Sequence, residues 1–282
     1  MDAPLQLTGI GLRPPHYTAI LEQRPNVAWL EVHSENYFGE GGHPLVMLEK
    51  IRQHYPMSLH GVSLSLGSAD ELNWQHLKKL KELIDRVQPG LVSEHLSWSS
   101  IKGHYLHDLL PLPYTKETVA HVVARIQQVQ DFLKRQILIE NISSYIQYPH
   151  SVLSEHEFLK DIVQQSGCGI LLDINNIYVN AHNLELDAHA YLHALPAAAI
   201  QEIHLAGFTI QTIEQQEVLI DTHNQPVAPA VWNLFREAID LYGPKPTIIE
   251  WDNDLPALNT LCAEARHAEK IMRENHVTRL TA

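Results

Sequence analysis

Eight short runs of leucine and β-branched residues alternate along the chain with stretches of helical periodicity. This alternation is typical of βα units around a parallel sheet. Eight strands in 282 residues fit a (β/α)8 TIM barrel, which has about 250 residues. We therefore predict an α/β protein with a single barrel domain over residues 1–282, and a doubly wound sheet is the alternative fold. The predicted strands are residues 5–12, 27–33, 57–62, 91–97, 137–143, 169–175, 200–206 and 246–251.

The segments between these strands contain helix signals. Apolar residues on one face predict a helix over residues 70–87, and Thr115 is a candidate N-cap for a helix over 115–135. Ser154 and Glu157 have the spacing of a capping box, which predicts a helix start there. Two longer segments are predicted to be inserted loops, residues 98–114 and 207–227.

Charge and cysteine content restrict the partners and the compartment. The chain has 20 Lys and Arg against 33 Asp and Glu, a formal net charge of −13, which argues against an extended nucleic-acid surface. Its two cysteines cannot form a disulfide framework or a thiolate zinc cluster. The sequence has no apolar run of about 18 residues and no signal-peptide pattern at its start, so we expect a cytoplasmic protein without a membrane partner.

Histidine is unusually frequent, with 19 residues, and several histidines end predicted strands together with carboxylates. In a TIM barrel the active site forms at the carboxyl ends of the strands. Charged groups beside barrel-wall residues need a partner or a metal ion to offset desolvation, so this pattern predicts a metal centre. The metal-competent strand ends are His60, His95, Glu140, Asp173, His204 and Glu250. The catalytic candidates among them are His60, Glu140, Asp173 and Glu250.

Further candidate ligands follow the sixth and seventh predicted strands. Asp221 and His223 are two residues apart in IDTHN, which places both side chains on one face of an extended segment. Asn176 and His182 bring the candidates to ten, too many for one ion with about four to six ligands, so two or three ions are implied. Imidazole and carboxylate ligands suit iron, manganese or zinc. The carboxylates that can bridge adjacent ions are Glu140, Asp173 and Glu250.

A second group of residues is predicted to support the ligands. Glu94 and His95 are adjacent, so strand alternation sends them to opposite sides of the strand. We place His95 inward, which leaves Glu94 as a supporting residue or as the partner of a helix. A structural role is the alternative for the remaining candidates for orienting ligands or substrate, which are Glu31, His33, Glu35, Asn36 and Asn175.

The order of these ligands resembles the trinuclear metal barrels of the xylose isomerase and endonuclease IV superfamily. Seven phrases resemble more specifically the multinuclear non-haem iron family that includes the catalytic subunit of methanobactin biosynthesis. They are SLHGVSLSLG, SEHLSW, ENIS, LLDINNIYVNAHN, EIHLAGF, DTHNQPV and IEWDND, and the resemblance spans roughly residues 7–255. The chain departs from the endonuclease pattern at Asn176, which stands where that enzyme has a histidine and is a weaker ligand.

The resemblance implies a xylose isomerase-like barrel that binds two or three iron ions in mixed ferrous and ferric states. The ligands that it implies are His60, His95, Glu140, Asp173, His204, Asp221, His223 and Glu250. Family members use dioxygen to remodel cysteine residues of ribosomally made peptides, usually with a separate partner protein that holds the peptide leader. We therefore expect a Cys-containing precursor peptide and such a partner. The alternatives are a divalent-metal sugar isomerase, a phosphodiester hydrolase on the same barrel, and a non-catalytic metal-bound scaffold.

Overall fold

The computed structural model describes residues 7–281, with side chains for residues 7–274. Residues 5 and 6 of the first predicted strand lie outside the described residues. The strands are β1 (Thr8–Gly11), β2 (Trp29–His33), β3 (Met57–Gly61), β4 (Val92–His95), β5 (Trp98–Ile101), β6 (His104–Leu110), β7 (Leu138–Glu140), β8 (Gly169–Asp173), β9 (Ile200–Leu205), β10 (Thr209–Ile213), β11 (Gln216–Ile220) and β12 (Thr247–Ile249).

Within the described residues, eight parallel strands close a barrel in the order β1-β2-β3-β4-β7-β8-β9-β12, and β12 pairs back onto β1. These are the eight predicted strands, so the barrel is confirmed and the doubly wound alternative is wrong. Closure removes both edges of the sheet. The barrel wall consists of short strands of three to six residues. The carboxyl ends of the strands therefore meet at one end of the barrel.

Helices follow most of the barrel strands. They are α1 (Tyr17–Gln23), α2 (His43–Arg52), α3 (Trp74–Val87), α4 (Lys116–Leu133), α5 (Glu155–Ser166), α6 (Ile174–Asn183), α7 (Ala188–Ala194), α8 (Pro229–Tyr242) and α9 (Leu258–Thr281). Two single 3-10 turns, Pro14–His16 and Ser34–Tyr37, follow β1 and β2. Among residues 7–281, the structure has no helix that is both long and apolar enough to cross a membrane.

Local sequence signals set where these helices begin. Thr115 caps α4 by accepting a hydrogen bond from the Thr118 N–H, and Ser154 forms the predicted capping box with Glu157 at α5. The helix predicted from residue 70 begins at Trp74 instead. The Asn73 side chain accepts a hydrogen bond from the His76 N–H at 3.0 Å, which makes Asn73 the N-cap.

The two segments predicted to be inserted loops are mostly regular structure. Residues 98–110 form the antiparallel hairpin β5–β6, and residues 209–220 form the hairpin β10–β11. Both follow the carboxyl ends of barrel strands, β4 and β9, so they stand at the end of the barrel where the strand-end ligands lie. Strand β6 is largely exposed.

Candidate metal centre

A pocket of about 690 Å³ opens at the carboxyl ends of the barrel strands. Predicted ligands line it from several strands, and β6 and the segment after β11 form its rim. The predicted ligands in the lining are His60, His95, Glu140, Asn176, Asp221, His223 and Glu250. The strand-end residues that were separated along the sequence are therefore close together in space.

His60, His95 and Glu140 form the first group of the centre. Glu140 Oε2 lies 3.2 Å from the Nε2 atoms of both His60 and His95, yet it has no hydrogen-bond partner among residues 7–274. The three side chains come from β3, β4 and β7, which are neighbours in the barrel. Three ligand atoms that converge without bonding to one another are arranged as they would be around a cation.

Hydrogen-bond acceptors beside His95 and His60 determine which ring nitrogen carries the hydrogen and which one keeps its lone pair. His95 Nδ1 lies 2.9 Å from the Gly61 carbonyl oxygen, which can only accept, so the hydrogen is on Nδ1 and Nε2 keeps its lone pair. His60 Nδ1 lies 2.8 Å from Ser93 Oγ, whose own hydrogen points to the Leu59 carbonyl. Both Nε2 atoms are therefore presented to the centre as ligands.

Asp173 ends β8 and also caps α6. Its Oδ1 accepts a hydrogen bond from the Asn176 N–H at 2.6 Å, while Oδ2 is buried without a hydrogen-bond partner in the described part of the chain. Asn141 holds this strand end from β7 through two bonds to the Asp173 backbone. Asn176 donates from Nδ2 to the Asn141 carbonyl at 3.0 Å, which leaves its Oδ1 as the free atom. Oxygen atoms of Asp173 and Asn176 are thus available at the centre.

His204 lies between the centre and a buried acidic pair beneath it. Its Nδ1 is 3.0 Å from Glu250 Oε2 and 3.7 Å from Glu140 Oε1. Its Nε2 is 3.0 Å from Glu31 Oε1, and Glu202, two residues before His204 on β9, completes this cluster. Glu31, one of the predicted supporting residues, therefore contacts Nε2 of His204, and the Nδ1 atom of His204 faces Glu250 and Glu140.

Glu140 connects two groups of candidate ligands. It forms one group with His60 and His95 and another with Asp173, His204 and Glu250, and in each the ligand atoms all lie within 4.8 Å of one another. A carboxylate with two oxygens in two such groups can bridge two ions.

Asp221 and His223 close the remaining side of the centre from the segment after β11. His223 Nε2 lies 2.7 Å from Asp221 Oδ1, and Asn175 Nδ2 donates to the same oxygen at 2.8 Å. Gly207 allows this segment to approach β9, because an added Cβ would lie 2.1 Å from the Gln225 carbonyl oxygen. The backbone of His223 is left-handed, with φ at 47°, a strained conformation that is typical of functional sites.

Burial keeps the first two imidazoles neutral. It lowers the pKa of His60 well below its usual value, with help from the neighbouring His95, and lowers the pKa of His95 to about 4. Burial also raises the pKa of Glu140 well above that of an ordinary carboxyl group and raises the pKa of Asp173 to about 7. Protons therefore limit the negative charge at Glu140 and Asp173.

The other two imidazoles are held in the protonated form by carboxylates. Burial disfavours the charge, but Glu31 and Glu250 raise the pKa of His204 well above its usual value. Asp221 and Glu250 do the same for His223, again against burial. In the absence of metal, bound protons thus offset the negative charge of the clustered carboxylates. Metal cations can offset the same charge when they displace these protons.

The residues fit a multinuclear metal site. Carboxylate, imidazole and amide atoms converge from several strands, and some of them are buried without a hydrogen-bond partner within residues 7–274. Those atoms are Glu140 Oε2, Asp173 Oδ2 and Asn176 Oδ1. Buried polar atoms are normally paired, so unpaired oxygens among these clustered side chains favour a cation site.

Two predicted ligand or supporting residues lie away from the centre, and Glu94 lies behind it. His182 is near the end of α6, where its Nε2 contacts the Glu217 carbonyl of β11 at 3.3 Å, so it belongs to the packing of the hairpin. Asn36 is exposed in the turn Ser34–Tyr37. Glu94 is buried on the opposite face of β4 from His95, in a cluster with Glu35 and His76. Strand alternation predicts Glu94 on this face, with a helix as one possible partner, and His76 belongs to α3.

Residues that the sequence interpretation missed flank the centre. Arg13 donates to Asp252 from Nε at 3.0 Å, and its Nη2 lies 3.7 Å from Glu250 Oε1. The same Glu250 oxygen lies 3.3 Å from Nε2 of His33, which was among the predicted supporting residues. Residues two positions apart on a strand face the same side. This rule could have identified two of the missed residues, because Asp252 follows Glu250 by two positions and Glu202 precedes His204 by two. Arg13 lies beyond the end of β1, where the sequence has no comparable signal.

Comparison with known proteins agrees with this fold. L-ribulose 3-epimerase aligns with a TM-score of 0.62 at 14% identity, covering 97% of this chain and 98% of the epimerase. D-psicose 3-epimerase of Clostridium cellulolyticum H10 aligns with a TM-score of 0.61 at 11% identity, covering 95% and 99%. At this identity the likeness shows a xylose isomerase-like TIM barrel and nothing about the reaction.

Proteins found by sequence comparison are much more similar to this chain than these structural neighbours are. The chain is 53% identical to a UPF0276 protein of Acaryochloris marina over 94% of each chain. It is 51% identical to a UPF0276 protein of Vibrio vulnificus over 94% of this chain and 91% of the relative. The family model of the RiPP precursor modification enzymes MbnB/TglH/ChrH, in which RiPP denotes a ribosomally made and modified peptide, matches residues 7–273. Because this family model matches nearly the whole chain, the protein belongs to the MbnB/TglH/ChrH family of RiPP precursor modification enzymes.

Proposed function

We propose that this protein holds two or three iron ions at the carboxyl end of its barrel and uses dioxygen to modify cysteine residues of a precursor peptide oxidatively. The observation that supports the proposal most is the convergence of the strand-end side chains around Glu140, which belongs to two groups of ligand atoms. The family match supports the class of substrate, because the family's enzymes modify RiPP precursors.

The proposed ligands form two groups that share Glu140, and a third set that lies mainly on the segment after β11. His60, His95 and Glu140 form the first group, and Glu140 extends into the second with Asp173, His204 and Glu250. The third set consists of Asp221 and His223, with Asn176 as a weaker ligand. Imidazole and carboxylate ligands suit iron as well as manganese or zinc, so the ligand set does not by itself select iron.

Bound iron would supply redox chemistry with dioxygen, and the side chains of this chain supply position and protons. The Gly61 carbonyl and Ser93 orient the imidazoles of His95 and His60, and Glu31 contacts His204 from beneath. Protons that Glu140 and Asp173 hold are released when a cation replaces them. His33 lines the pocket beside Glu250, where it is placed to contact a polar part of the substrate, and the buried Arg13 holds Asp252 next to it.

The pocket has room for a cysteine side chain together with part of the peptide on either side of it. It has a volume of about 690 Å³ and reaches from the strand ends to Leu106 and Leu109 of β6. Apolar residues at the rim and ligands at the floor would let a cysteine side chain reach the centre while flanking residues lie along the hairpin. We further propose that a separate partner protein holds the rest of the precursor.

The test is turnover of a Cys-containing peptide encoded beside the gene. We expect the ferrous-loaded protein to change the mass of this peptide only after exposure to dioxygen, with the change located at cysteine by tandem mass spectrometry. A peptide with each Cys replaced by Ser should stay unchanged.

Matched variants separate an enzyme from a metal-bound scaffold. Glu140→Gln should abolish the conversion, whereas Glu82→Gln, at an exposed position of α3, should retain it. Conversion that continues without dioxygen, or that is unaffected by Glu140→Gln, would contradict the proposal. Conversion of a keto sugar by manganese- or zinc-loaded protein without dioxygen would favour the isomerase alternative.

A further inference from the structure

A second cluster of potential ligands lies on the other face of β4. It consists of Glu35 from the turn after β2, His76 from the first turn of α3 and Glu94 from β4. One ligand atom from each lies within 4.8 Å of the others. Glu94 faces the opposite side of the strand from His95, so this outer cluster is separate from the barrel centre.

His76 is turned into the outer cluster without a hydrogen bond for its inner nitrogen. Its side chain is 9% exposed, and its Nε2 has no hydrogen-bond partner among residues 7–274. The nearest carboxylate atom, Glu35 Oε1, is 3.7 Å from this nitrogen. The ring packs edge-on against Phe38 with centroids 4.9 Å apart, which holds its orientation. A buried imidazole nitrogen at this distance from a carboxylate is placed to share a cation with it.

The two carboxylates are fixed by backbone groups that leave ligand atoms free. Glu35 Oε1 accepts hydrogen bonds from the N–H groups of Val62 and Ser63, each at 2.9 Å. Its other oxygen, Oε2, is buried and unpartnered within the same described side chains. Glu94 Oε1 accepts a hydrogen bond from the Leu64 N–H at 3.2 Å, and a carboxylate oxygen with one donor retains a lone pair for a ligand.

Gly61 makes room for this arrangement. A Cβ at position 61 would lie 2.2 Å from Glu94 Oε1 and 2.6 Å from its carboxyl carbon. Any larger residue would therefore force the Glu94 carboxyl out of its position beside Glu35. The space is specific to the outer cluster, because Gly61 is paired with Glu94 in the register of β3 and β4.

We propose that Glu35, His76 and Glu94 bind a divalent first-row transition-metal ion, with zinc as the reference ion. One imidazole and two carboxylates are hard and borderline ligands that zinc accepts, and two carboxylates neutralise the charge of the ion. The proposal does not depend on the proposed function, because it uses none of the residues of the barrel centre.

Such an ion would tie three elements together behind the active site. Glu35 and Glu94 hold the N–H groups of residues 62–64, the segment that directly follows His60 and Gly61 on β3. The ion would connect this segment and β4 to α3. Its role is to hold the strands that present His60 and His95, rather than to touch the substrate.

The test is anomalous diffraction from crystals of the full-length protein stripped with chelator and reloaded with zinc chloride. We expect an anomalous peak at the zinc edge about 2.0–2.1 Å from His76 Nε2 and about 2.0–2.2 Å from an oxygen of Glu35. Crystals with metal in the barrel but no peak beside His76 would overturn the proposal.

Metal counting in solution provides a second measurement that does not depend on activity. His76→Gln should lower the zinc content by about one ion per chain relative to the wild type. His54→Gln is the matched control, because His54 is exposed and lies outside the cluster. Glu35→Gln should give the same loss as His76→Gln. Zinc content that is equal in all four proteins would refute the outer site, whatever the peptide assay shows.

Discussion

Glu140→Gln should have opposite effects on the stability of the metal-free and the iron-loaded protein. Burial raises the pKa of Glu140 well above its usual value, so the unfolded chain ionises first as pH rises. Above the ordinary carboxyl value of about 4.5, the wild type therefore loses stability relative to the glutamine variant. The loss grows by about 1.4 kcal/mol per pH unit while folded Glu140 keeps its proton. Below pH 4.5 this difference should vanish.

Chain length converts these energies into melting temperatures. An unfolding entropy of about 2.1 cal/mol/K per residue gives about 0.6 kcal/mol/K for this chain, so about 1.4 kcal/mol corresponds to about 2 °C. Ferrous iron at a hundred times the dissociation constant stabilises the wild type by about 2.7 kcal/mol, or about 5 °C. A site weakened a hundredfold would gain only about 0.4 kcal/mol, or less than about 1 °C.

The assay is differential scanning calorimetry under anaerobic conditions, at pH 5 and pH 8, with chelator or with ferrous iron. We expect the metal-free variant to melt above the wild type at pH 8 and closer to it at pH 5. We expect ferrous iron to raise the melting temperature of the wild type and hardly affect the variant. If ferrous iron raised the melting temperature of both proteins equally, Glu140 would not be an iron ligand. If the metal-free variant melted several degrees below the metal-free wild type at pH 8, burial would not be raising the pKa of Glu140.

Three further substitutions test separate features. Glu31→Gln should weaken iron binding about 10- to 100-fold in a chelator competition, because Glu31 contacts Nε2 of the ligand His204 at 3.0 Å; unchanged affinity would remove Glu31 from a supporting role. Ser154→Ala should lower the free energy of unfolding by about 1 kcal/mol in urea, because it removes the capping box of α5, and turnover should be unaffected. Phe158→Ala should cost about 3–5 kcal/mol in the same assay, because the ring is fully buried; a cost below about 1 kcal/mol would contradict its place in the core.

The barrel and much of the candidate centre could be predicted because their signals are local. Each strand is a short apolar run, and six of the eight predicted strands end in a polar side chain such as His60 or Glu140. Parallel strands that close a barrel bring their carboxyl ends together, so the fold alone converts positions along the sequence into a common pocket. Capping residues such as Thr115 likewise act within one turn of helix.

Contacts between segments that are distant in sequence account for His182 and for the missed Arg13, whereas a local turn accounts for Asn36. His182 has the same residue type as a ligand, but its position near the end of α6 directs it to the Glu217 carbonyl of a hairpin that was predicted to be a loop. Asn36 follows β2 in a 3-10 turn that exposes its side chain. Arg13 reaches Asp252 across 239 positions of sequence, and such a pairing has no local pattern.

The measurement that tests the central proposal most directly is the metal content of anaerobically purified protein, with Mössbauer spectroscopy of material grown on iron-57. The His76→Gln variant should be measured beside the wild type, so that the outer cluster does not add to the count. We predict two or three iron ions per chain in mixed ferrous and ferric states, and their loss in Glu140→Gln. Stoichiometric zinc or manganese without iron, persisting after ferrous reconstitution, would contradict an iron-dependent oxidase and favour the isomerase or hydrolase alternative.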